Sequence, residues 1–173
     1  ECTFGLEAAS NSYVEELNIK AESIHFVQDC FKGAKGIKLI NLEATNEIDF
    51  GISSFINAEI EEVICYARNM ISLVQDCFKG VKNMEKANFT SGKDMTFGLN
   101  CFNEATINEV YAKAVNDVSI VQGALTNVTN FEKLSVEAGG SITCGMSSSQ
   151  NSTIHEIYIK AEKQVSFVES CFQ

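Results

Sequence analysis

The sequence contains no proline and no tryptophan, and only two of its 173 residues are histidine. Proline breaks helices and lacks an N–H donor, so its absence favours a helix-rich chain. The two histidines, His25 and His155, occupy different positions in the repeat described below. A lone histidine is usually structural or solvated, so neither is expected to act in catalysis.

Positive charge is also scarce, because 13 Lys and Arg residues face 23 Asp and Glu residues and give a net charge of −10. Such a chain repels phosphate backbones, so nucleic acid is not an expected partner. Anionic membrane surfaces are disfavoured for the same reason. No apolar run approaches the roughly 20 residues that cross a bilayer, and no membrane span is expected.

The common catalytic motifs are missing as well. We find no G-x-S-x-G, H-E-x-x-H, P-loop or G-x-G-x-x-G pattern. We also find no EF-hand pattern and no Cys/His spacing typical of zinc. The sequence therefore indicates a protein that is not an enzyme and has no metal or cofactor.

What the chain does contain is a repeat. The heptapeptide VQDCFKG occurs at 27–33 and again at 74–80, and related segments follow at 121–125 (VQGAL) and 168–172 (VESCF), each 47 residues after the last. A fixed period of this length is typical of repeat architectures. We therefore expect one repeat domain, 1–173, with units of about 1–47, 48–94, 95–141 and 142–173.

The long segment of each unit has helical spacing. In the second unit, apolar residues recur at three- and four-residue steps: Ile60, Val63, Ala67, Ile71, Val74 and Phe78. Gly33, Gly80 and Asn127 follow these segments at the position where a left-handed residue would end a helix. The predicted fold class is all-α, with four long helices in pseudo-repeat, each carrying a returning arm or short helix, and closed as a bundle or stacked as a short solenoid.

The first unit lacks one residue between Ala21 and Val27. A deletion inside a helix rotates the residues beyond it by about 100°, so a kink or a tightened turn is predicted there.

Seven cysteines suggest disulfides in this architecture. An arm folded back along its helix would pair Cys2 with Cys30 and Cys144 with Cys171, because about eight extended residues reach ~26 Å along a helix of similar length. Cys77 would pair with Cys101, leaving Cys65 as a buried free thiol. Two alternatives remain open: Cys65 pairs with Cys101 and frees Cys77, or Cys65 links two chains in a homo-oligomer.

Three glycosylation sequons begin at Asn88, Asn127 and Asn151. Together with seven cysteines they favour an oxidising, secretory setting. The chain begins at Glu1 without a signal peptide, and we interpret it as a mature secreted form.

Two functions fit these features. The first is a secreted carrier of a small apolar ligand such as a lipid, odorant or pigment, held in an internal cavity. The predicted helices have a second apolar stripe, on a different side from the first. Its equivalent positions in the four units are the candidate lining residues: Phe26, Leu73, Ile120 and Phe167. The second is a secreted structural or protein-interaction protein that uses its repeat surface. An internal cavity would favour the carrier, and a solid core with exposed apolar residues would favour the interaction protein.

Overall fold

The computed structural model describes residues 1–172, and in that range the chain forms strands and turns but no helix. The all-α prediction is therefore wrong. The chain winds into a parallel β-solenoid in which an eight-stranded sheet and a seven-stranded sheet run along opposite sides. The 47-residue unit is not one helix with an arm, because it corresponds to two stacked coils.

The first sheet consists of short strands and is called the short-strand sheet below. Its members are β1 (Cys2–Phe4), β3 (Ile24–Phe26), β5 (Glu47–Phe50), β7 (Met70–Leu73), β9 (Asp94–Phe97), β11 (Val118–Ile120), β13 (Ser141–Cys144) and β15 (Gln164–Phe167). The other is called the long-strand sheet. Its members are β2 (Glu16–Ala21), β4 (Ile37–Ala44), β6 (Ile60–Ala67), β8 (Met84–Ser91), β10 (Ile107–Ala114), β12 (Lys133–Ala138) and β14 (Glu156–Ala161). Each coil thus contains one short strand, a turn, one long strand and a two- or three-residue corner.

The register of the short-strand sheet gives the length of a coil. Phe26 pairs with Phe50, Phe50 with Leu73, and Leu73 with Phe97, which are steps of 24, 23 and 24 residues. The longer coils contain one extra left-handed residue in the turn: Gly36, Asn83 or Asn130. Long and short coils alternate, so the sequence similarity is strongest between coils two apart, at 47 residues.

The helix-like spacing of apolar residues in the second unit arises because the chain bends within each coil. Two exposed or half-exposed glutamates separate the buried Ile60 from Val63, and a corner separates Ala67 from Ile71. Buried residues therefore fall at helix-like steps although the backbone is extended. Cys65, which lies between Val63 and Ala67 and is also buried, follows the two-residue alternation of a strand.

The absence of proline is explained by the hydrogen bonds between coils, not by helices. Backbone hydrogen bonds between coils continue through the turns, where the amide of Phe31 donates to the carbonyl of Ser54 at 2.7 Å and that of Phe78 donates to Cys101 at 2.8 Å. Proline has no N–H group and would break this ladder.

The left-handed residues were predicted correctly but assigned to the wrong element. Gly33, Gly80 and Asn127 have φ of 65°, 66° and 56°. They lie in the turns of the solenoid rather than at helix ends. The residue missing from the first unit shortens a strand instead of kinking a helix: β3 has three residues where β5 and β7 have four, and the corner before each of them has two.

The space between the two sheets is filled by columns of inward side chains. The central column contains stacked phenylalanines, with ring centroids 4.9 Å apart for Phe31 and Phe55 and 5.3 Å apart for Phe55 and Phe78. The next ring, Phe102, continues the stack at 5.3 Å from Phe78. Repetition of one residue type at each coil therefore builds a continuous core.

Candidate functional site

The four residues predicted to line a ligand cavity lie in one inward column, at the same position of every second coil. Phe26, Leu73 and Ile120 are buried in the packed core. Phe167 lies in β15, the last strand of the described residues, and 54% of it is exposed. Three of the four are therefore core residues, and the sizeable clefts among residues 1–172 are grooves on the surface.

The predicted disulfides are wrong, because all seven cysteines are free thiols in the structure. Cys2 lies in β1 beside Ile24, whereas Cys30 lies in the turn of the next coil. Cys77, Cys101 and Cys171 occupy the same turn position as Cys30, where the remaining coils have alanine or serine. The position requires a small side chain in the core, and a buried cysteine meets that requirement as a small hydrophobe.

The third predicted disulfide, Cys144–Cys171, is wrong as well. Cys144 and Cys171 do come together, but as hydrogen-bonded thiols. Cys65 is buried in β6, facing the core. Burial raises the pKa of the Cys30 and Cys144 thiols to about 12, so these groups stay protonated and unreactive at neutral pH.

The three predicted glycosylation sites have different surroundings. Asn88 lies in the middle of β8, on the outer face of the long-strand sheet. Asn127 is in a turn, and its amide donates to Asn103 while its carbonyl oxygen accepts from Asn151. Asn151 is an exposed turn residue. Asn151 is therefore the sequon asparagine with the most open surroundings.

The outer face of the long-strand sheet is the surface with the most distinctive chemistry. One outward position of the seven strands forms a straight row, called the central row: Asn18, Asn41, Ile64, Asn88, Tyr111, Ser135 and Tyr158. Ile64 is 37% exposed and Tyr158 is 44% exposed, and Tyr66, next to the row on β6, is 47% exposed. Bulky side chains thus recur on every second strand from β6 to β14, with small polar ones between them.

Charged residues on both sides of the central row alternate in sign. One row has the order Glu62, Lys86, Glu109, Lys133 and Glu156. Parallel strands in register place these side chains about 4.8 Å apart, so like charges would repel and alternating charges attract. Lys133 and Glu156 approach to 2.6 Å, and their hydrogen bond raises the pKa of Lys133. These pairs lie on the surface and fix side-chain positions more than they add stability.

Tyr111 is held in place by the charged row. Its ring lies under the ammonium group of Lys86, 5.0 Å from the ring centroid. Burial and a hydrogen bond to the Glu109 carboxylate raise the pKa of Tyr111, so the phenol remains neutral at physiological pH. Tyr111 is thus an aromatic side chain fixed on the sheet surface, with a cation–π contact on one face of its ring.

A groove of about 180 Å³ lies beside Tyr111. Its lining combines the hydroxyl, amide and charged groups of neighbouring strands: Lys86, Asn88, Thr90, Lys113, Ser135 and Glu137. Lys113 and Glu137 form an ion pair at 3.6 Å across one side. The groove therefore presents both donors and acceptors in a small area.

The outer face of the short-strand sheet is different. Its central outward row is mostly hydroxyl-bearing: Thr3, His25, Asp49, Ser72, Thr96, Ser119, Thr143 and Ser166. Desolvation raises the pKa of Asp49, with Glu47 acting in the same direction and His25 and Ser72 opposing it. One carboxylate oxygen of Asp49 is buried and has no hydrogen-bond partner. This row therefore contains one poorly satisfied acid.

The sequence analysis did not identify Tyr66, Tyr111 or Tyr158 as surface residues, and it considered Asn88 only as a sequon. The segments IEEVICYA, INEVYAKA and IHEIYIKA contain the necessary signal if they are read with a period of two. With that period the valine and alanine positions point inward and the tyrosines point outward. The helical interpretation assigned the tyrosines to neither apolar stripe.

Within the described residues, no three His, Cys, Asp or Glu side chains lie together as metal ligands would. Residues 1–172 also include no helix with the length and hydrophobicity needed to cross a membrane. No family model, curated protein or solved structure matches the chain.

Proposed function

We propose that the protein is a non-catalytic binding scaffold that recognises its partner with the outer face of the long-strand sheet. The observation that carries this proposal is the recurrence of exposed or half-exposed Ile64, Tyr111 and Tyr158 along one row of that face. A sheet face that only meets water is normally polar. Tyrosine is enriched at interfaces because its ring contributes contact area and its hydroxyl remains satisfied.

The packed core supports a surface function over an internal carrier. A carrier needs a cavity of several hundred Å³ with apolar walls. Here the candidate lining residues Phe26, Leu73 and Ile120 are buried in a solid core, in which neighbouring phenylalanine rings stack 5.1 and 5.3 Å apart. This favours the second function that the sequence indicated, an interaction protein with an extended repeat surface.

Secretion is part of the same proposal, but its support is narrower than the sequence suggested. The cysteines no longer contribute, since the structure uses them as small core residues. The three sequons remain, and Asn151 is the one with open surroundings.

An NMR titration of the isotope-labelled chain tests the proposal. The probes are palmitate for the carrier, a pool of soluble neutral oligosaccharides, and a pool of random decapeptides. We expect a surface probe to shift resonances of outward residues in β6 to β12, and palmitate to leave the core phenylalanines unchanged. Palmitate shifts centred on Phe50 and Phe78, or the failure of both pools to shift the face, would overturn the proposal.

A further inference from the structure

The groove beside Tyr111 carries a more specific inference about the ligand, which rests on the proposed function. We propose that it binds a neutral, linear, β-1,4-linked glycan that lies along the solenoid axis, across the strands.

The lining chemistry fits a ligand that both donates and accepts hydrogen bonds. Thr90 and Ser135 contribute hydroxyl groups, and Asn88 contributes an amide with both functions. Each sugar hydroxyl also has both functions, so it can satisfy either kind of group. A ligand with only donors or only acceptors would leave part of this lining unpaired, which costs binding energy. The volume of about 180 Å³ is comparable to one sugar ring.

The charge distribution favours a neutral polymer. Lys86 and Lys113 are the cations of the groove, but Glu109 and Glu137 lie at neighbouring positions of adjacent strands. The chain as a whole has a net charge of −10. An anionic polymer would therefore be repelled. Lys113 is already paired with Glu137 and Lys86 lies over the Tyr111 ring, so both serve as hydrogen-bond donors.

The spacing of the bulky residues fits a polymer rather than a single sugar. Ile64, Tyr111 and Tyr158 are two strands apart, which is about 9.5 Å. Small polar residues, Asn88 and Ser135, lie between them and leave a shallow slot on each side of Tyr111. A β-1,4-linked glycan presents the same ring face at every second sugar, a repeat of similar length, so one chain would fill successive slots in the same way.

The backbone of the sheet argues against an extended peptide as the ligand. Peptides that bind sheets usually add a strand to an edge, where backbone N–H and C=O groups are free. In the central strands β8 and β10 both edges are already paired with neighbours. A peptide lying on this face would leave its own backbone groups without partners, whereas a glycan needs only the side chains described above.

Isothermal titration with two soluble hexamers, cellohexaose and hexa-N-acetylchitohexaose, tests the inference and distinguishes a glucose polymer from an N-acetylglucosamine polymer. We expect one hexamer to bind and to shift resonances of Asn88 and Ser135. Tyr111→Ala should weaken that binding about tenfold or more, a ratio that corresponds to roughly 1.4 kcal/mol. Ser135→Tyr, which fills one slot, should weaken it as well.

The matched control is Tyr13→Ala, which removes an exposed tyrosine from a turn away from the groove and should leave the affinity unchanged. Circular dichroism of each variant shows whether the fold is retained. If Tyr111→Ala binds the hexamer as tightly as the original chain does, the groove is not the binding site. If neither hexamer shifts the face but the decapeptide pool does, the glycan is wrong and the binding scaffold stands. If no probe shifts the face, both proposals fail.

Discussion

Gly51→Ala tests the stacking of the coils, because Gly51 touches the preceding coil through its backbone. Its amide donates to the carbonyl of Phe26 at 2.8 Å. A Cβ at this position would lie 2.1 Å from the same carbonyl oxygen and 3.2 Å from its carbon. Both contacts are to backbone atoms, so relief requires the two coils to separate.

The first coil contains a matched control. Gly5 follows Phe4 as Gly51 follows Phe50, and these phenylalanines belong to one column. Among residues 1–172 no coil lies before the coil of Gly5, and an added Cβ there would meet nothing within 4 Å. The two substitutions are chemically identical and differ in whether a preceding coil lies against the glycine.

Forced overpacking typically costs about 1–3 kcal/mol, and we expect Gly51→Ala to lower the free energy of unfolding by that amount. Gly5→Ala should be neutral or should stabilise by up to about 1 kcal/mol, because alanine restricts the unfolded chain. Urea denaturation followed by circular dichroism measures both. Gly98→Ala, whose Cβ would lie 2.3 Å from the carbonyl oxygen of Leu73, should behave like Gly51→Ala. Equal losses at Gly5 and Gly51, or no loss at Gly51, would refute the stacking.

Three further predictions concern the core, the thiols and one acid. Phe78→Ala should cost about 3–5 kcal/mol in urea denaturation, since its ring is buried between two stacked neighbours, and a loss below about 1 kcal/mol would contradict the packed core. Without denaturant, iodoacetamide should modify Cys2 fastest by mass spectrometry, and all seven cysteines should react in urea; missing adducts in urea would reveal disulfides. Asp49 has a folded pKa above its unfolded value of 3.8, so its ionisation costs stability at neutral pH and Asp49→Asn should be the more stable protein at pH 7. The difference in unfolding free energy between the variant and the original chain should disappear as the pH falls below 3.8, and a difference independent of pH would point to another cause.

Several features of the fold were readable from the sequence because they depend on local chemistry or on repetition. The 47-residue period was correct, as was the equivalence of Phe26, Leu73 and Ile120, which occupy one column. The left-handed conformation of Gly33 and Gly80 was also predicted correctly. Glycine adopts positive φ in many kinds of turn, so this correct local prediction did not identify the element around it.

The type of secondary structure was not readable because the strands are short and the chain turns after each one. A helix and a strand differ in the period of their buried residues, and that period needs a long uninterrupted segment to be measured. Here a corner or bend interrupts the alternation within eight residues, as between Ala67 and Ile71. The proposed binding face was missed for the same reason, since Tyr111 points outward only if its segment is a strand.

The central claim is that 47 residues of sequence correspond to two stacked coils. It is tested most directly by the distance between spin labels at Asn41→Cys and Ser135→Cys, which are 94 residues apart in one row of the long-strand sheet. Four strand spacings separate these positions, which places their Cα atoms about 19 Å apart. The native thiols are mostly buried and should not compete for the label. Pulsed electron spin resonance should therefore give one narrow distribution near this distance plus the label tethers. A broad distribution, or a mean well beyond the ~30 Å length of a 20-residue helix, would contradict the solenoid.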